Sequence, residues 1–136
     1  MPARAPFDYA IVRVVPRVDR QEFINAGAIV HCRVRGFLAA RVELDEARLR
    51  ALDPGCDPGL VRRHLEAVVR VAVGDRDAGP VAELPQPDRF HWLVAPRSTI
   101  IQPSPVHVGL TDDPAAALDA IMAAMVRTRV SGVSGV

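Results

Sequence analysis

From Asp8 to Val15 the chain runs through β-branched residues and stops at Pro16, a pattern that predicts a strand. Alternate positions Ala10, Val12 and Val14 form one apolar face. Tyr9, Ile11, Arg13 and Val15 form the other, which is apolar enough to be partly covered. The next run, Ala26 to Val34, sets Ala26, Ala28, Val30, Cys32 and Val34 against Ile29, His31, Arg33 and Arg35. Gly36 interrupts it, and Phe37 to Leu44 alternates again, with Leu38, Ala40, Val42 and Leu44 opposite Phe37, Ala39, Arg41 and Glu43. Two alternating runs about Arg35-Gly36 predict an antiparallel hairpin with one buried and one wetter face.

The period then becomes helical. Asp45 is placed to cap a short helix over Glu46 to Leu52, which ends at Asp53-Pro54-Gly55. Asp57 as N-cap and Pro58 at the first helical position open a second helix. Its apolar stripe is Leu60/Val61, His64/Leu65, Val68 and Ala72, and Gly74 closes it. Gly74 to Asp88 is dominated by Gly, Asp and Pro and predicts a long, mobile loop. Arg89 to Ala95 is a short apolar segment containing Phe90 and Trp92. Ser98 to Leu110 mixes β-branched residues with Pro103 and Pro105, which cannot donate to a ladder, so it reads as an edge strand or an extended crossing segment. Asp113 and Pro114 open a final helix with Leu118, Ile121, Met122 and Met125 on its inner stripe. Arg127 and Arg129 suit the negative end of its dipole.

These elements predict a single α+β domain: an antiparallel sheet of four to five strands with two main helices packed on one face. The expected boundaries are an N-terminal extension over residues 1–7, the domain over 8–127 and a flexible tail over 128–136. Val12, Val14, Val30, Val42, Leu65, Val68, Leu118 and Ile121 are the expected core. A chain of 136 residues suits one domain and buries roughly two-thirds of its unfolded surface, so this core is adequate.

Charge narrows the function classes. The formal net charge is +1, from 17 basic and 16 acidic residues, without the basic excess that phosphate neutralisation asks of a nucleic-acid binder. Every basic residue is Arg, which excludes a Schiff base or a lysine base and points to a GC-rich bacterial genome. Cys32 falls in a strand pattern and Cys56 in a turn, with no CxxC pair, as expected of thiols in a reducing compartment. The N-terminus carries no hydrophobic signal segment and no apolar run nears 18 residues. The expected location is cytoplasmic, with no membrane partner.

The stretch Tyr9-Ala10-Ile11-Val12-Arg13-Val14-Val15-Pro16-Arg17, followed by Glu22-Phe23-Ile24-Asn25-Ala26-Gly27, resembles a bacterial family numbered 3037 among the domains of unknown function. A second block, Arg89 through Thr99 and on to Gln102, His107 and Gly109, resembles the same family. Together they span about Tyr9 to Val126. The resemblance implies no reaction. It does imply a partner, because members are often encoded beside a HipA-like kinase-fold protein.

Two polar clusters are candidates for chemistry. The first is Arg13, Arg17, Glu22 and Asn25. Glu22 could pair with an Arg while Asn25 supports a turn. Alternatively, paired guanidiniums oriented by Glu22 could hold an anion. The second is Arg89, Arg97, Ser98, Thr99, Gln102 and His107. Arg-Ser-Thr offers a fork of donors and two hydroxyls for phosphate or carboxylate, without the glycines of a phosphate loop. In the plainer reading Ser98 and Thr99 satisfy an edge backbone and Arg97 is solvated. Ser98 has no nucleophile elbow, and His107 is nine residues away, roughly 30 Å along a straight strand. The four histidines, His31, His64, His91 and His107, lack metal-ligand spacing, and His64 is expected half-buried beside its helix stripe.

The preferred expectation is therefore a non-catalytic interaction or accessory module, plausibly partnering a HipA-like kinase. The alternative is a small enzyme or ligand-binding domain whose anion site gathers Arg13, Arg17, Glu22, Asn25, Arg97, Ser98, Thr99 and His107. Neither reading calls for a cofactor or a metal.

Overall fold

The structure, a computed structural model, describes residues 3–128. Among these the order is β1 (Ala5–Val14), β2 (Ile24–Cys32), β3 (Phe37–Val42), α1 (Glu46–Leu52), α2 (Pro58–Val73), α3 (Gln86–Val94), β4 (Ile101–Pro103), β5 (His107–Thr111) and α4 (Pro114–Ile121). The last helix continues as a π turn over Met122–Val126. The sheet is antiparallel and ordered β3-β2-β1-β4, with β5 also on β1. This is the expected α+β domain with five strands. The tail expected over 128–136 lies, apart from Thr128, outside the described residues.

Local chemistry sets the helix starts. The Asp45 carboxylate accepts from Arg48 N–H, Asp57 from Gly59 N–H and Asp113 from Ala116 N–H. Such caps contribute about 1 kcal/mol each. Pro58 and Pro114 sit where a missing N–H costs nothing. Gly74, at φ 76°, closes α2 in the left-handed conformation. Gly36, at φ 61°, ends the Arg33–Arg35 turn of the β2–β3 hairpin in the same way.

The helices do not share one face. Leu65, Val68 and Val71 of α2 and Phe90 and Leu93 of α3 pack on Val12, Val14, Ile29 and Ala40. Leu118 and Ile121 of α4 and Met122 and Val126 of the π turn pack on Phe7, Ile11, Ala28 and Val30, the opposite pleat. The two main helices therefore sandwich the sheet, correcting the one-face expectation. The reason lies in the central strands: both faces of β1 are apolar, and both must leave water. The same arrangement removes the wetter face expected of β2, since Ile29 and His31 are buried along with Val30 and Cys32.

Three further differences follow from tertiary constraints. β1 begins at Ala5, because Ala5, Pro6 and Phe7 pair with Thr111, Leu110 and Gly109 respectively and so belong to the sheet rather than to an extension. The Gly74–Asp88 region holds 3-10 turns at Arg76–Ala78 and Pro80–Glu83 and the start of α3, instead of one loop. Bonding from Arg127 N–H to Met122 C=O widens the last turn, so Val126 faces inward and Met125 is exposed. The expected core residues are buried except Val42, which is half-buried on β3. No helix of the structure is long and apolar enough to cross a membrane.

Candidate functional site

The first cluster is split by a bulge. Val12 pairs with Gly27 but Arg13 pairs with Asn25, so Ala26 is an extra residue in β2. This slip turns Asn25 onto the α4 side, where its amide donates to Met125 C=O at 2.9 Å. Gln102 pairs with Arg13 from β4, giving a polar row Gln102–Arg13–Asn25 across the sheet end. The Arg13 guanidinium lies 4.2 Å from the Phe23 ring centroid, and its buried Nε has no hydrogen-bond partner among the described residues.

Arg17 and Glu22 do not join this row. Arg17 pairs with Asp19 at 3.2 Å in the exposed β1–β2 connection. Glu22 pairs with Arg20, and that hydrogen bond, ahead of the other influences, holds the Glu22 carboxyl below its ordinary range. Glu22 thus orients neither Arg13 nor Arg17.

The second cluster disperses as well. Arg89 donates to Leu84 C=O at 2.8 Å and to Ala72 C=O at 3.3 Å, tying α3 to the end of α2. The His107 ring packs 5.4 Å from Tyr9 on the α4 side of the sheet. Ser98 is exposed. Thr99 Oγ1 donates to Ile101 C=O, and the Gln102 amide donates to Thr99 C=O. Arg97 lies on the other side, stacked 4.2 Å from the Trp92 centroid and donating to Trp92 C=O. Arg13 and Arg97 are therefore on opposite faces of the sheet, and the eight candidates do not form one site.

Part of the second cluster does form a cavity. Arg97 and Thr99 line a pocket of about 220 Å³ with His64, Ala67, Val68, Val71, Trp92, Ile100 and Ile101. The walls come from α2, from Trp92 of α3, and from the irregular segment that leads into β4. Burial pulls the Arg97 pKa below its ordinary value. Among the described residues no carboxylate lines the pocket to offset that cost. His64, expected beside the buried stripe, is exposed on this wall. Trp92 and His64 were the residues that sequence patterning missed. The usable signal was a lone Trp five residues before an Arg.

Other reactive groups are placed for packing. Cys32 is buried, and the Cys56 thiol is pushed up mainly by burial. Among the described residues no group of three or more His, Cys, Asp or Glu could hold a metal ion.

No curated protein and no solved structure matches the chain. A family model does match, over residues 9–126, and those bounds run from the second face of β1 to the last residue of the π turn. On that match the chain belongs to the family described as Protein of unknown function (DUF3037).

Proposed function

We propose that this chain is a non-catalytic interaction module of a bacterial cytoplasmic system, docking a protein partner on the outer edge of β5. The observation that carries the reading is the exposure of Val108 and Leu110, 70% and 64% respectively. They project from the same face of a strand whose one partner among the described residues is β1. Val106 extends this apolar strip. An edge strand with free backbone groups and uncovered apolar side chains is a template for a strand from another chain.

The opposite edge is guarded. β3 is flanked by α2 and the π turn, and charged pairs stand there, Arg41 with Asp119 and Arg127 with Glu43. Such charges discourage strand addition. The partner we assign to the β5 edge is the HipA-like kinase that the family resemblance implies. Main-chain pairing would give affinity, and pockets for Val108 and Leu110 would give specificity.

Co-expression with a HipA-like kinase-fold protein, followed by co-purification and hydrogen exchange, tests this. Retention of the complex with slowed exchange over residues 106–111 is expected, and Leu110→Lys should abolish both. A chain that stays monomeric with unchanged exchange, or a Leu110→Lys variant that binds as well as the parent, would sink it.

A further inference from the structure

We infer that the cavity between α2, α3 and β4 binds a small organic monocarboxylate with an apolar body, its carboxylate held by Arg97. A guanidinium carries five N–H donors. Arg97 donates to Trp92 C=O, and among the described residues it donates to no carboxylate. Stacking on Trp92 holds the planar fork in place. A partly buried cation beside apolar walls, with donors to spare, is completed by an anion.

The lining selects the class of anion. Ala67, Val68, Val71, Ile100 and Ile101 offer hydrocarbon, and Arg97 is the one guanidinium in the lining among the described residues. The Thr99 hydroxyl proton is already given to Ile101 C=O at 2.8 Å. A phosphate would bring a second charge and three acceptor-rich oxygens into a site with one guanidinium. A carboxylate matches the guanidinium bidentately and leaves its apolar body against the wall. At about 220 Å³ the cavity falls below the ~300–1,000 Å³ of drug-sized sites, so the body is small. None of these residues belongs to the β5 edge, so the inference stands or falls apart from the docking proposal.

Trp92 is the chain's single tryptophan, so its fluorescence reports the cavity directly. The experiment titrates benzoate, hexanoate, benzamide and inorganic phosphate, read by Trp92 fluorescence and by ligand-observed NMR. Saturable binding of benzoate or hexanoate is expected, with benzamide at least tenfold weaker and phosphate weaker still. Arg97→Gln should lose at least tenfold, and so should Arg97→Lys, because an ammonium cannot reproduce the fork. Ala67→Phe keeps Arg97 but fills the cavity, and it should also block binding. That variant carries the test if the Arg97 variants unfold. Absent saturation with both acids, benzamide binding as tightly as benzoate, phosphate binding more tightly, or undiminished binding in Arg97→Gln would each overturn the inference.

Discussion

Ser104 supplies Ile11 with the acceptor that a neighbouring strand would normally give. Its Oγ accepts the Ile11 N–H at 2.8 Å, while its own N–H donates to Ile11 C=O at 2.8 Å. The residue stands in the break between β4 and β5, where Pro103 and Pro105 cannot donate to β1. Ser104 is 4% exposed, and the same hydroxyl donates to Pro105 C=O. Ser104→Ala would leave a buried N–H unpaired, at a cost of about 1–3 kcal/mol. Urea unfolding should show the loss, and Ile11 amide exchange should quicken. Ser98→Ala, at an exposed position, should change stability by less than about 0.5 kcal/mol. Equal effects from the two would refute the role of Ser104.

His31 should make stability fall in mild acid. Its ring packs 4.8 Å from Phe90, its buried Nε2 has no partner among the described residues, and burial, more than any neighbouring charge, lowers its pKa from 6.5. Below the ordinary value the unfolded chain binds the proton and the folded chain resists it. Stability is therefore full above about pH 6.5 and declines as pH drops through that value towards the lower folded pKa. Melting temperature measured from roughly pH 7.5 to 5 should fall, and His31→Phe should flatten that part of the curve. A parent and variant with parallel profiles would show that other groups govern this range.

Gly109 and Phe7 should be energetically coupled. They are direct cross-strand partners, and a Cβ on Gly109 would lie 2.6 Å from the Phe7 ring. Gly109→Ala must push that ring into the α4 core, costing about 1–3 kcal/mol. In a Phe7→Leu background the same change should cost much less, with a coupling of about 0.5–3 kcal/mol in the double-mutant cycle. Additive effects would place the strain elsewhere.

The two cores should respond independently. Leu65 on the α2 side and Leu118 on the α4 side are each 1% exposed, so either change to Ala should cost about 2–5 kcal/mol. Met125→Ala should cost less than about 0.5 kcal/mol if the π turn points that side chain to water. A Met125 penalty near that of Leu118 would mean the helix continues in α register.

Much of the candidate site's failure to assemble was illegible for one reason. Arg13, Arg17, Arg97 and His107 were recognisable as members of two polar clusters, but residue type carries no address. Glu22 took Arg20, a neighbour two positions away, in preference to the Arg residues it was expected to orient. Arg97 kept its ligand-like character because the fold brought Trp92 and the apolar side of α2 around it. The pocket required residues 64–71 and 92–101 to meet, and no local pattern joins those segments.

What the sequence determined by itself was whatever acts within a few residues. Asp45, Asp57 and Asp113 fix helix starts by bonding N–H groups two or three positions on, and Gly36 turns the hairpin through its own φ. The alternation of β1 determined two apolar faces, and the long motif blocks determined the family. Tertiary structure decided which helix covered which face, since apolar area records that a surface leaves water but not what covers it. It also decided the Ala26 bulge, which turns Asn25 towards Met125, 100 residues away. Short-range bonds are written into neighbouring residues, whereas pairings across the sheet exist only once both partners have been packed into place.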